Sequence, residues 1–159
     1  MLEHEGDPYA PRFSEAHRQP AQAAGFQLSV VRVKRPEDFE RAFAEMSRGK
    51  AEALIVPQMS LFVRNEKMVA DGAIKARLPL YSTGQFTRAG GLPSFNSDVL
   101  ENYRRAAVMV DKIFKGMKPA DIPVEEPERF KLVINLRTAK ALGITILQSL
   151  LIRADEVIE

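Results

Sequence analysis

The chain has 159 residues, 45% hydrophobic and 28% charged, with 23 basic against 21 acidic side chains and a formal charge of +2. That leaves room for one domain with a real core and excludes a disordered polypeptide, while no run approaches the roughly 18 apolar residues that a membrane-spanning helix needs. The basic residues are scattered, so no nucleic-acid footprint is expected; the lack of cysteine excludes disulfides and thiolate chemistry, and His4 and His17 have no partners at metal-ligand spacing.

Residues 1–8 read as an amino-terminal tail. They carry acids where an export signal carries Lys or Arg, and no apolar stretch of seven, so the chain as written is expected to lack an export signal and to stay cytoplasmic. From Tyr9 to Ala24 the composition is helical, but Pro20 falls inside the pattern and predicts a kink or break. Gln27 to Val33 alternates like a half-buried strand. Pro36 suits the first position of a helix in which Phe39, Ala42, Phe43 and Met46 form an apolar stripe.

Ala53 to Val56 is a short apolar run that reads as a buried strand ended by Pro57, and Ser60 is expected to cap a third helix to about Ala76. A second short strand, Leu78 to Tyr81, precedes the turn-rich Ser82, Thr83 and Gly84. The alternation of strand and helix predicts an α/β fold with a mainly parallel sheet flanked by helices. A loop with Gly90, Gly91 and Pro93 leads into the strongest helix, Ser97 to Lys115. There Asp98 and Glu101 resemble a capping box, and Val99, Leu100, Tyr103, Ala106, Ala107, Val110, Ile113 and Phe114 share a face that must be buried against something.

Pro119, Pro123 and Pro127 among acids make the next segment an extended linker. The chain closes with FKLVINLRTAKALGITILQSLLIRADEVIE, read as a strand through Leu136, a helix Arg137 to Leu142 capped by Asn135 or Thr138 and ended by Gly143, and a second helix. These boundaries divide the chain into 9–93 as an α/β core, 94–129 as a crossing helix and Pro-rich linker, and 130–159 as a closing segment.

The closing segment resembles the carboxyl end of the tryptophan/tyrosine-receptor-like ABC transporter substrate-binding proteins. That family commonly ends in Phe-x-Leu-Val-Ile-Asn-Leu-x-Thr-Ala-Lys-Ala-Leu-Gly followed by Leu-Leu-x-Arg-Ala-Asp-Glu-Val-Ile-Glu. The run from Lys115 to Val124 looks like its Lys-Gly-x-Lys-Pro-Ala-Asp-Leu-Pro-Val phrase, and Gly90 to Phe95 is similar to its Gly-Gly-Leu-Met-Ser-Tyr. Departures are Pro20, Pro93 for Met, and Leu147 where Pro is common.

The resemblance implies the type I periplasmic-binding fold, two α/β lobes joined by a hinge with solute trapped between them. By the family's order this chain is expected to be the carboxyl-terminal half: one lobe plus crossing segments, truncated, with the first-lobe sheet and the strand before the Tyr9 helix missing. It also implies a periplasmic or membrane-associated bacterial location, an ABC permease as partner, and a small amphipathic solute such as an amino acid.

In an open parallel sheet, ligands bind beyond the carboxyl ends of strands. Gln58, Met59 and Ser60 follow one strand, offering an amide, a soft apolar contact and a hydroxyl; Ser82 and Thr83 follow the next with two hydroxyls. Phe95 and Asn96 at the crossing add an aromatic face and an amide. Each of these residue types is also ordinary turn or cap chemistry, and only their shared position at strand ends favours binding. No Gly-x-Ser-x-Gly elbow, P-loop or Gly-x-Gly-x-x-Gly appears, so neither enzymatic activity nor a cofactor or metal is expected. The alternative to solute binding is a self-associating module, a homodimer through the 97–115 helix, with a flavodoxin-like regulator or enzyme as a third reading on fold analogy.

Overall fold

The structure, a computed structural model, describes residues 1–159. Strand β1 (Leu2–His4) pairs in parallel with β2 (Val31–Val33), setting Leu2 opposite Val31, and β3 (Leu54–Ile55) pairs in parallel with β4 (Leu80–Tyr81). A separate three-stranded sheet holds β5 (Pro93–Ser97) antiparallel to β6 (Phe130–Asn135), with β7 (Glu156–Ile158) parallel on the other side of β6. The helices are α1 (Ala10–Ala23), α2 (Phe39–Arg48), α3 (Ser60–Arg64), α4 (Glu66–Lys75), α5 (Gly84–Ala89), α6 (Val99–Phe114), α7 (Leu136–Leu142) and α8 (Gln148–Arg153). This is the expected mixed α/β architecture, with parallel pairing predominant.

One hydrophobic cluster unites the first two sheets and the helices between them. Leu2 and Val33 from β1 and β2, Leu54 and Leu80 from β3 and β4, and Phe39, Phe43, Phe62, Val69 and Phe86 from the helices are all buried in it. The α2 stripe is buried as its spacing requires. Phe62 and Phe86 are fully enclosed, and removing a side chain of that size from water is worth about 1.5–3 kcal/mol. Gly72 of α4 lies so close to the Phe43 ring that an added Cβ would sit 2.2 Å from Cε2, so the missing side chain sets the approach of α2 and α4.

Several expectations need correction. Residues 1–8 are not a tail: they contain β1, the strand expected to be missing before the first helix, with Leu2 and Glu3 buried and the strand paired with β2. Pro20 does not break α1, because it lies in the last turns of a helix that ends at Ala23 and frees only the carbonyl of solvent-exposed Ala16, which water can satisfy. The long third helix is two. Asn65 donates from its side chain to the Leu61 carbonyl at 2.7 Å, while its backbone N–H turns to Phe62, so a local bond replaces the helical one. Ser60 begins α3 without a side-chain cap; Met59 holds the cap position.

The segment read as a turn after Tyr81 continues as α5, whose Phe86 and Thr87 are wholly buried; tertiary burial stabilises a helix of poor intrinsic propensity. The glycine-rich loop passes into β5, where Pro93 takes the first position, which needs no ladder donor. The closing segment ends in β7 after the short α8. At β6–α7 the reading holds: Asn135 accepts from the Thr138 N–H at 3.1 Å as N-cap, and Gly143 ends the helix at φ +71°. The α6 face, by contrast, is buried against nothing in the chain: none of its residues is enclosed.

Candidate functional site

Beyond the carboxyl ends of β3 and β4 the chain turns into the loops before α3 and α5, and a cleft of about 490 Å³ opens between these loops, the β5–β6 ladder and the start of α6. Strand register builds its floor. Ser94 lies opposite Val133 and Asn96 opposite Lys131, and alternation turns all four side chains to the same face. Gly84, at the start of α5, faces this floor, since a Cβ there would meet the Ser94 hydroxyl at 3.7 Å and Val133 at 3.8 Å.

Of the residues singled out from sequence, Gln58, Thr83 and Asn96 come together in the cleft. Thr83 occupies the cap position of α5 without using its hydroxyl as a cap. The Asn96 carboxamide oxygen is enclosed and has no hydrogen-bond partner within the chain. Ser82 lies beneath: it is buried, and its hydroxyl donates to the Val56 carbonyl at 2.7 Å, tying the two strand-end loops together. Met59 faces the other way into the main core. Ser60 is exposed on α3 outside the cleft lining. Phe95 points to the opposite side of β5 from Ser94 and Asn96, stacking on Phe130 with ring centroids 5.4 Å apart, while its carbonyl accepts from the Tyr81 hydroxyl at 3.0 Å.

Sequence reasoning missed the contributions of α5 and β6. Gln85 and Arg88 line the cleft from a helix read as turn, and Lys131 and Val133 from a strand whose antiparallel partner was read as loop. Alternation along residues 93–97 and 130–135 is the signal that, once the two are paired, puts Ser94, Asn96, Lys131 and Val133 on one face.

The charges lining the cleft are matched. Arg88 forks onto the Glu156 carboxylate of β7, with Nε 3.1 Å from Oε1, and Lys131 Nζ lies 2.9 Å from Asp98 Oδ2. Asp98 also accepts from the backbone N–H groups of Leu100 and Glu101, capping α6. The Lys131 hydrogen bond, helped by these backbone donors, holds the Asp98 carboxyl below the usual range against the opposing effect of its burial. With both cations paired, what remains for a guest is a set of neutral donors and acceptors: Gln58, Thr83, Ser94 and Asn96. Such a set is suited to orienting a small molecule reversibly.

Residues 11–158 match the sequence model of the family described as ABC transporter substrate binding protein. No match was found among curated proteins. Three solved structures overlay nearly the whole chain. One is described as the ABC domain from Streptococcus pneumoniae in complex with L-Trp, with 27% identity and a TM-score of 0.85 over 99% of this chain and 53% of that one. A conserved domain protein from Vibrio cholerae O1 biovar El Tor has 22% identity and a TM-score of 0.85 over 98% and 53%. The open, ligand-free form of a substrate binding protein with adhesive properties from Clostridium difficile has 18% identity and a TM-score of 0.79 over 99% and 52%. The last two speak for the fold alone. The chain spans about half the length of each structure it matches.

Proposed function

Since the chain belongs to the ABC transporter substrate-binding protein family, we propose that it is a solute-binding component of an ABC import system, holding a small amphipathic solute such as an amino acid non-covalently. The observation that carries this reading is the cleft beyond β3 and β4, where Gln58, Thr83 and Asn96 converge on the Ser94–Val133 floor and the flanking charges are already paired. An amino acid as solute is supported by the structural relative at 27% identity, whose ligand is L-Trp.

Affinity for this chain by itself is expected to be low, because a solute held only by the lining of this cleft leaves much of its surface in water. The family class is non-enzymatic, and the reading assigns no covalent step. Its partners are the solute and an ABC permease. It places the protein on the periplasmic or membrane-associated side of a bacterial import system; no helix is long and apolar enough to cross a membrane.

Isothermal titration of this chain with L-tryptophan and then the other amino acids tests the solute reading. Saturable heat with at least one of them, weakened in Asn96→Ala, is the expected result. Absence of both heat and thermal stabilisation across the panel at millimolar solute overturns it.

A further inference from the structure

We propose that Gly84 sets the size limit of the cleft: the space left by its missing side chain, against Ser94 and Val133, is where the solute seats. This deepens the solute-binding reading and rests on it.

Nothing in the fold of the chain requires a glycine at this position. Gly84 opens α5 in helical backbone and is not among the glycines with positive φ. The other end of the same helix is a contrast. Gly90 ends α5 at φ +127°, and a Cβ on Gly91 would lie 3.0 Å from the Phe86 carbonyl oxygen, closer than side chains ordinarily come to backbone. A Cβ on Gly84 would instead meet Arg88 Nη1 at 3.6 Å, Ser94 Oγ at 3.7 Å and Val133 Cγ2 at 3.8 Å, all ordinary van der Waals distances. A methyl group therefore fits. It would also restrict the unfolded chain, so the fold stands to gain from it.

What such a methyl group would fill is the site. Arg88, Ser94 and Val133, the three neighbours it would touch, all line the cleft, as does Gly84 itself. Ser94 and Val133 are only 1% and 4% exposed, so one carbon placed against both is enough to close the floor. The seat is polar on one side, where the Ser94 hydroxyl lies, and apolar on the other, where the Val133 methyl lies, which suits an amphipathic solute. At about 490 Å³ the cleft falls within the roughly 300–1,000 Å³ of small-molecule sites, with no large excess to absorb an added side chain.

Isothermal titration of the wild type, Gly84→Ala and Gly84→Leu with L-tryptophan and the other amino acids is the test, with urea denaturation of each protein. Gly84→Ala is expected to weaken the tightest amino acid about tenfold, the effect of one carbon in a close-fitting site, and Gly84→Leu to weaken it further. The urea midpoint of Gly84→Ala should equal or exceed that of the wild type. In the wild type, the Val133 methyl and Gly84 amide resonances should shift as that amino acid is added.

If Gly84→Ala binds as tightly as the wild type, the size limit is overturned and the solute reading stands. If Gly84→Ala loses stability along with affinity, the glycine serves the fold and the proposal is overturned in the same way. Saturable heat with unmoved Val133 and Gly84 resonances would put the solute elsewhere and remove the seat. A wild type that gives neither heat nor thermal stabilisation across the panel overturns the solute reading itself, and the seat falls with it.

Discussion

The side-chain amide of Asn135 donates to the carbonyl of Thr87 at 2.8 Å, joining the end of β6 to α5 across 48 positions of sequence. The same side chain caps α7 through Thr138, and the Asn135 backbone N–H donates to Leu92 at 2.9 Å. Thr138 adds a bond from its hydroxyl to Gly90 at 3.0 Å. One asparagine thus positions the helix that forms one wall of the cleft against the strand that forms its floor.

Replacing Asn135 by Ala removes a helix cap and a buried hydrogen bond together, with an expected loss of about 2–4 kcal/mol in urea denaturation. Asn135→Asp keeps the cap but turns a donor into an acceptor facing the Thr87 carbonyl. It should be no more stable than the alanine variant, and an aspartate variant of native stability would show that the bond to Thr87 contributes nothing.

Gly72→Ala drives a methyl group into the Phe43 ring, and overpacking of this kind costs about 1–3 kcal/mol. The smaller Phe43→Leu should relieve the clash, so the double variant is expected to lose less than the sum of the two single changes. Additivity in the thermal or urea midpoints would refute close α2–α4 contact at this point.

Glu3 supplies a pH dependence. Burial alone raises its carboxyl, but hydrogen bonds from the Ser14 hydroxyl and from Arg32 Nε at 2.7 Å, with the Arg32 charge, outweigh it and hold the group below the ordinary value. The unfolded chain therefore binds this proton more readily. The stabilisation is complete above the usual glutamate range, near pH 4.3, and is lost as the pH falls through the lowered native value. Glu3→Gln should reduce stability at neutral pH by about 1–3 kcal/mol and flatten the acid limb of stability against pH. An acid limb identical to the wild type would remove Glu3 as its source.

Two neighbours on β5 separate the cleft from the opposite face. Asn96→Ala is expected to weaken solute binding by about tenfold, the worth of one polar contact from a residue that lines the cleft, while Phe95→Ala, whose ring stacks on Phe130 away from the cleft, should leave it unchanged. Competitive titration against the tightest amino acid found would read both. The opposite ranking would move the site to the aromatic face.

Among the residues that line the cleft, Gln58 and Thr83 could be placed there from sequence because a parallel α/β rhythm puts the residues after its strands at one edge, and that rhythm is plain in the local pattern. Met59 and Ser82 share the same loops but turn inward, to the core and to the Val56 carbonyl, and nothing in a single loop's sequence distinguishes a side chain facing out from one facing in. Ser94, Lys131 and Val133 were missed because their common face exists only once β5 pairs with β6, whose residues lie far apart in sequence.

What the sequence determined by itself was therefore whatever is encoded within one element: the stripes of α2 and α6, the Asn135 cap and Gly143 stop of α7, and the phrases that mark the family. What only the tertiary structure decided was which elements meet. The three-residue β1 is too short to declare itself and exists through its ladder with β2; α5 has weak propensity and is held by the burial of Phe86; and the α6 stripe, obvious in sequence, finds no cover within the chain. The physical reason is common to all three. Periodicity reports how much of an element is to be buried, whereas the identity of the surface that buries it depends on contacts between residues distant along the chain, which no local pattern contains.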